Sequence, residues 1–156
     1  MIDIVIGFSK PKSRFALFGH LIRFYTGADF SHCYVRFISS QLISQASDGM
    51  VNLTHQEVFT TDNVIVEEIR IPVSNSQFEQ IMGYVIKNAG RPYSYIQIVG
   101  IIIADLLGLN RNPLDMNKKT FVCSEYLGQI LRILGITANK HLSLLTPVDI
   151  YNMVKK

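Results

Sequence analysis

A cysteine that can act as a nucleophile lies near the end of this chain. Cys123 is part of the segment TFVCSEY, in the first turn of a helix that the apolar spacing predicts over residues 122–134. The unpaired amide N–H groups and the dipole of a helix make this end partly positive, which favours a thiolate and lowers the pKa of a cysteine. The segment therefore predicts a reactive thiol. The alternative is that Cys123 is a small core residue, as many cysteines are.

A thiolate nucleophile needs a general base, and His32 is the best candidate. It opens the segment SHCYVRFI, whose β-branched and aromatic residues predict a strand that would hold the imidazole rigidly. Because side chains alternate along a strand, Cys33 is expected on the opposite face, filling the core with Val35 and Phe37. The alternative for His32 is a partly buried strand residue bonded to a carbonyl. The other histidines are expected to be structural: His20, His55 and His141.

A third polar group usually fixes the tautomer of a catalytic histidine. The next predicted strand supplies Gln45, followed by Ser47 and Asp48. The Gln45 amide oxygen can accept the ring N–H, but it lacks the charge that stabilises an imidazolium, so we expect a smaller contribution than a carboxylate would make. The alternative is that Gln45 is an exposed strand residue.

Three tyrosines near the predicted cysteine helix are candidates for a substrate-binding groove: Tyr93, Tyr95 and Tyr126. Tyrosines in such positions are equally often packing residues whose hydroxyl reaches water. The two cysteines, Cys33 and Cys123, have no partner at C-x-x-C spacing, so neither a metal site nor a disulfide scaffold is predicted. We expect no cofactor.

Composition favours one folded domain over residues 1–156. The chain is 48% hydrophobic and 17% charged, enough apolar surface to offset the entropy of ordering. The net charge of +3 is scattered, which argues against a nucleic-acid partner. The N-terminus carries no classical export signal, so the chain is expected to be cytoplasmic as synthesised. A phage-encoded or virion-associated protein would be compatible with this expectation. An apolar stretch over residues 96–109 is too short to span a bilayer and predicts a buried or membrane-touching helix, the buried alternative being favoured.

The pattern of elements predicts an α+β fold. Strands are expected over residues 2–8, 31–38, 42–46 and 64–71. The second and third form a hairpin, a turn at Asp48-Gly49 follows the third, and Pro72 closes the last. Helices are expected over residues 14–25, with Gly27 as a stop, and over residues 95–109 and 122–134, and a capping box of Ser76 and Glu79 predicts another. Thr146 followed by proline predicts the start of a short final helix.

The order of these motifs resembles a known family. A histidine that opens a strand, a Gln-Ala pair in the next strand, Gly-Arg-Pro-Tyr before a helix, Phe-Val-Cys-Ser-Glu at a helix start and Thr-Pro near the end together cover most of the chain. In this order the chain is similar to the circularly permuted branch of the NlpC-type papain-like cysteine peptidases, which includes YiiX-like and lecithin retinol acyltransferase-like proteins. The Cys-Ser-Glu motif is nearer the YiiX-like pattern.

The resemblance implies a permuted papain-like fold, in which a small antiparallel sheet or half-barrel packs against a helical subdomain that contains the cysteine helix. It also implies a thiol hydrolase or acyl transferase, with Cys123 as nucleophile, His32 as general base and Gln45 as its orienting group. A peptide or peptidoglycan-derived fragment is the preferred substrate, and an acyl lipid at a membrane surface is the second. A non-catalytic binding or phage structural module with the same fold is the third interpretation. The orienting position often carries Glu or His in such proteins, so Gln45 departs from the common pattern.

Overall fold

A five-stranded antiparallel sheet forms the framework of the computed structural model, which describes residues 1–14, 16–47, 49–115 and 120–155. The strand order is β4-β3-β2-β1-β5, so the sheet is open and β4 and β5 are its edges. The strands are β1 (Ile2–Pro11), β2 (His32–Phe37), β3 (Leu42–Ser47), β4 (Met50–His55) and β5 (Asn63–Val73). The predicted α+β class, with an antiparallel sheet, is confirmed.

Six α-helices accompany the sheet in the described residues. They are α1 (Leu17–Thr26), α2 (Gln56–Asp62), α3 (Asn75–Asn88), α4 (Tyr95–Leu107), α5 (Cys123–Ile133) and α6 (Pro147–Val154), with a 3₁₀ turn at Leu142–Leu144 before the last. Within the described residues, no helix has both the length and the apolar character needed to cross a bilayer.

The central helix is α5, which packs across β2 and β3 and also contacts α3, α6 and the 3₁₀ turn. Its inner side chains, among them Leu127, Ile130 and Leu131, are buried in the main core with Ile4, Ile6 and other residues of the sheet. At Gly128 a Cβ would lie 2.6 Å from the Leu145 side chain, so glycine is needed for the chain before α6 to pass this close. This packing places the start of α5 against the sheet, near the first residues of β2.

Several predicted boundaries differ from the structure. The first strand continues past residue 8 to Pro11, because β5 pairs with it along this extension, with a register shift between Phe8 and Ser9. Pro72 lies inside β5 and does not end it, because β5 is an edge strand and an edge tolerates a missing N–H donor. The capping box uses Ser74 and Gln77, directly after the strand, and not Ser76 and Glu79.

Two elements were absent from the sequence prediction, β4 and α2. They follow a predicted turn at Asp48-Gly49, of which Asp48 lies outside the described residues. The helix stop at Gly27 and the start of the last helix are confirmed: Gly27 is left-handed at φ 69°, and Thr146 caps α6 in a capping box with Asp149. His55 and His141 each accept a backbone N–H as the residue before a helical turn, in keeping with the structural role expected of them.

Candidate active site

Cys123 is the first residue of α5, directly after the extended residue Val122. The first intrahelical bond of α5 runs from the Tyr126 N–H to the Val122 carbonyl, so the N–H groups of the first turn point out of the helix end around the thiol. Ser124 anchors this turn by donating its hydroxyl to the Leu145 carbonyl at 2.5 Å. The Cys123 thiol therefore lies at the positive end of the helix.

His32 is the first residue of β2, and its ring meets both Cys123 and Gln45. Nε2 lies 2.7 Å from Gln45 Oε1, and the Cys123 thiol is hydrogen-bonded to the same imidazole. Because Nε2 is hydrogen-bonded to the Gln45 amide, we assign the hydrogen bond with the Cys123 thiol to Nδ1. The structure thus brings together the three predicted residues Cys123, His32 and Gln45.

Gln45 is itself oriented by a residue that sequence reasoning missed. Its Nε2 donates to Asn52 Oδ1 at 3.3 Å, and the Asn52 amide donates in turn to the Ser47 carbonyl at 3.3 Å. This arrangement directs Gln45 Oε1 towards His32 as an acceptor, so the imidazole Nε2 carries a proton and Nδ1 is the nitrogen left to exchange a proton with the Cys123 thiol. Gln45 and Asn52 are cross-strand partners in the β3–β4 hairpin. The Asp-Gly pair between the two strands is the sequence signal that could have predicted this hairpin.

Cys33 has a larger part in the site than predicted. It is buried in the same core as Val35 and Phe37, as expected, but its thiol is also hydrogen-bonded to Cys123. Side-chain alternation still holds: the His32 ring lies near Tyr34 and Phe59, in the cluster on the other face of the sheet. Because His32 is at the strand end, its ring and the Cys33 thiol both reach the start of α5.

These contacts set the charge state of the nucleophile. The hydrogen bond from the Cys33 thiol, the positive charge and hydrogen bond of His32 and the backbone N–H of Cys33 hold the pKa of the Cys123 thiol well below its usual range, although burial opposes them. Burial raises the pKa of the Cys33 thiol, and its bond to Cys123 acts in the same direction. We therefore assign the thiolate to Cys123 and the neutral thiol to Cys33.

Replacing Cys33 with Ala is expected to raise the pKa of Cys123, because it removes the side-chain donor to the thiolate. At mildly acidic pH the rate of Cys123 alkylation by iodoacetamide should fall about tenfold, the effect of one hydrogen bond to a charged group. Cys33→Ser is the matched control, since it keeps a donor at the same position and should retain most of the rate. Equal rates for wild type and Cys33→Ala would remove Cys33 from the site.

Tyr93 is the predicted substrate-binding tyrosine that lies at the nucleophile. Its hydroxyl is hydrogen-bonded to Cys123, and burial together with the Cys123 charge raises the pKa of Tyr93 far above its usual range. The phenol therefore stays protonated and remains a donor at the sulfur. Tyr95 is exposed and in edge contact with Tyr93, with ring centroids 4.8 Å apart.

Tyr126 lies elsewhere. It is buried in the core, and its hydroxyl is 2.7 Å from Ser44 Oγ on the inner face of β3. It occupies the inward side of α5, so it lines no groove and we leave it out of the proposed site.

Two cavities meet at Tyr93. An open cleft of about 470 Å³ is lined by His32, Tyr95 and residues of α1. A small cavity of about 20 Å³, with room for one water-sized group, is lined by Cys123 and apolar side chains that include Ile101 and Val122. Since Tyr93, Ile22 and Ile98 line both, and Cys123 is only 2% exposed, this shared wall separates the open cleft from the sulfur.

Glu125, the last residue of the Cys-Ser-Glu motif, is half-buried in the first turn of α5, with its Oε2 atom shielded from solvent. Burial, followed by the negative charge of Asp115, raises the pKa of Glu125 to about 7, against the effect of Arg91. Among the described residues, no group donates a hydrogen bond to its Oε2. The carboxyl is therefore accommodated as a neutral acid.

Glu125→Gln is expected to change how stability depends on pH. Between the ordinary pKa of 4.5 and the folded pKa of about 7, the folded protein keeps a proton that the unfolded chain has lost, so the free energy of unfolding falls as pH rises through this interval. The amide removes this loss, so above pH 7 the variant should be more stable than wild type by on the order of 1–3 kcal/mol, with little difference at low pH. Urea unfolding across this range measures the effect, and parallel pH profiles would contradict it.

No group of three or more His, Cys, Asp or Glu side chains suited to a metal ion occurs in the part of the chain that the structure describes.

In comparisons with known proteins, no family model matches the chain, and no curated protein is significantly similar to it.

Proposed function

We propose that this protein is a cysteine hydrolase that cleaves amide or ester bonds, acting as a peptidase or amidase on peptide or peptidoglycan-derived substrates. The observation that carries the proposal is the hydrogen-bonded series Cys123, His32 and Gln45 at the start of α5. A thiolate beside an oriented imidazole is the arrangement that nucleophilic catalysis requires.

In the first step, the Cys123 thiolate attacks the carbonyl carbon of the substrate and a tetrahedral oxyanion forms. The outward N–H groups of the first turn of α5 lie where they can donate to this oxygen, and the Tyr93 hydroxyl is a further donor at the sulfur. Protonated His32 gives its Nδ1 proton to the leaving amine or alcohol. The carbon–nitrogen or carbon–oxygen bond breaks, and an acyl thioester remains on Cys123.

In the second step, neutral His32 removes a proton from water, which attacks the thioester. The carboxylic acid product leaves and the Cys123 thiolate is regenerated; an alcohol or amine in place of water gives acyl transfer instead. Gln45 holds the imidazole in the required tautomer but supplies no charge, so His32 relies on the thiolate itself for stabilisation of its protonated form.

A peptide substrate is supported by the shape of the open cleft. Its volume of about 470 Å³ is in the range of small-molecule and peptide sites, and its walls combine polar groups such as His32 and Ser31 with the aromatic rings of Tyr93 and Tyr95. An extended peptide could place its backbone on the polar groups and an apolar side chain against the rings.

An acyl lipid is the second candidate substrate, favoured by the walls of the small cavity at Cys123. Those walls are formed by apolar side chains of α1 and α4, among them Ile22, Ile98 and Ile101. Such walls favour the aliphatic part of an acyl group over a charged group, and the volume of about 20 Å³ admits only the first atoms of an acyl chain.

The proposal includes membership of the permuted papain-like branch. It is supported by the chain order of His32, Gln45 and Cys123 and by an antiparallel sheet that packs against the helix of the cysteine. The Gln-Asn pair of Gln45 and Asn52 in place of a charged orienting group is a feature of this chain.

Trapping of the acyl-enzyme tests the proposed function. The full chain is incubated with two substrate panels. The first contains peptide anilides and cell-wall stem peptides, and the second contains 4-nitrophenyl acyl esters. Each reaction is quenched in acid, and intact-mass spectrometry measures the mass of the protein. We expect an acyl adduct on Cys123 in wild type and none in Cys123→Ala, and the panel that gives it assigns the substrate class. Absence of an adduct with both panels would contradict catalysis and favour a binding module.

A further inference from the structure

The two helices that cover the small cavity, α1 and α4, lie side by side and run in the same direction. The rings of Phe18 and Tyr95, near the start of each helix, are 5.0 Å apart, and near the ends the Tyr25 hydroxyl is hydrogen-bonded to Asp105. Their inner side chains form one cluster, with Ile98 and Ile101 of α4 packed against α1. The outward sides of both helices therefore belong to one continuous face.

That face is apolar. On α4 the outward side chains repeat at helical spacing, and Ile96 is 60% and Leu106 77% exposed, with Val99 also exposed between them. On α1, Leu17 is 74% and Phe24 90% exposed, seven residues apart and so on the same side of the helix. Scattered exposed apolar residues are ordinary, but a stripe along two adjacent helices indicates an interaction surface.

The charges around the face identify the partner. Exposed Lys12 and Arg14 precede α1, and exposed Arg111 follows α4. Of the nearby acids, Asp29 pairs with Lys10 and Arg23, and exposed Asp105 on α4 accepts from the Tyr25 hydroxyl, so the three exposed cations face one acid that has no described ion pair. The rim is therefore basic around an apolar centre.

We propose that this face docks onto the surface of an anionic lipid bilayer. Apolar side chains enter the acyl boundary while the basic rim meets lipid phosphates, as in helices that lie in the membrane plane. A second copy of the chain is a poorer occupant, because a two-fold interface would bring each basic rim against its own copy. At 13 residues α4 is too short to cross the membrane, so it lies on the surface.

Flotation of the full chain with vesicles tests the proposal independently of catalysis. Vesicles of phosphatidylcholine alone are compared with vesicles that also contain phosphatidylglycerol, at low and high salt. We expect capture by the anionic vesicles, weakened by salt, and equal capture of Cys123→Ala. The Phe24→Glu/Leu106→Glu double variant should reduce capture at least about tenfold.

Ile86→Glu is the matched control, because Ile86 is 68% exposed on α3, outside this face, and the substitution is of the same kind. It should float like wild type, and circular dichroism checks that all variants are folded. Three results would overturn the proposal: no capture of wild type, equal loss for the control and the double variant, or a wild-type dimer in solution that the double variant converts to a monomer.

Discussion

Replacing Cys123 with Ala is expected to abolish turnover of any substrate that acylates the wild type. In the proposed mechanism the Cys123 sulfur forms the thioester, and the neighbouring thiol of Cys33 is a poor substitute because Cys33 is buried and its pKa is raised. Loss of the nucleophile in a cysteine or serine hydrolase lowers the rate by several orders of magnitude, on the order of 10⁴-fold or more. Turnover of the substrate class identified by acyl-enzyme trapping measures this effect.

The fold should survive this substitution. Ala fills most of the space of the Cys123 side chain, and the first turn of α5 is held by the bond from Ser124 to Leu145 and by core packing, neither of which involves the sulfur. Unchanged circular dichroism and a similar unfolding midpoint are the controls. Full activity in the folded variant would contradict the assignment of Cys123 as nucleophile.

The His32→Ala variant is expected to show the second largest effect, a fall in kcat on the order of 10²–10⁴-fold. In the proposed mechanism the imidazole transfers the proton to the leaving group; its charge and hydrogen bond also lower the pKa of Cys123, so the variant should show a higher pKa for this thiol. This second readout separates a catalytic role from a structural one, because a strand residue that only packs would leave the pKa of the thiol unchanged.

The control for this variant is His20→Ala, which changes an exposed histidine of α1 whose ring contacts only the Arg14 carbonyl among the hydrogen bonds described for it. Its kcat and its thiol pKa should match wild type. A His32→Ala variant with near-normal kcat would remove His32 as the general base.

The sequence predicts the positions of the three residues of the proposed site because each depends on local structure. The start of α5 follows from apolar periodicity, and it places Cys123 at the positive helix end. His32 and Gln45 lie on strands whose composition is typical of a sheet, and the hairpin of β2 and β3 brings them close. Local pattern was therefore enough to select three residues, Cys123, His32 and Gln45, that the structure brings together.

The parts that sequence reasoning missed depend on longer-range packing. Alternation along β2 assigns Cys33 to the core correctly, but only the docking of α5 at the strand end shows that it meets Cys123. Asn52 lies on a strand that the prediction lacked. Tyr126 is close to Cys123 in sequence, yet the inward side of α5 carries it to Ser44 in the core. The local sequence pattern of a helix or of a strand does not predict how the helix is oriented against the sheet.

The central claim is that Cys123 is a thiolate maintained by its neighbours, and the pH dependence of alkylation tests it most directly. The wild-type chain is treated with limiting iodoacetamide across a pH series, and peptide mass spectrometry quantifies the modification of Cys123 and Cys33 separately. We predict that Cys123 reacts at pH values well below the usual thiol pKa of about 8.5, whereas Cys33 stays unmodified until the protein unfolds. Equal modification of both thiols, or reaction of Cys123 only at alkaline pH, would contradict the account.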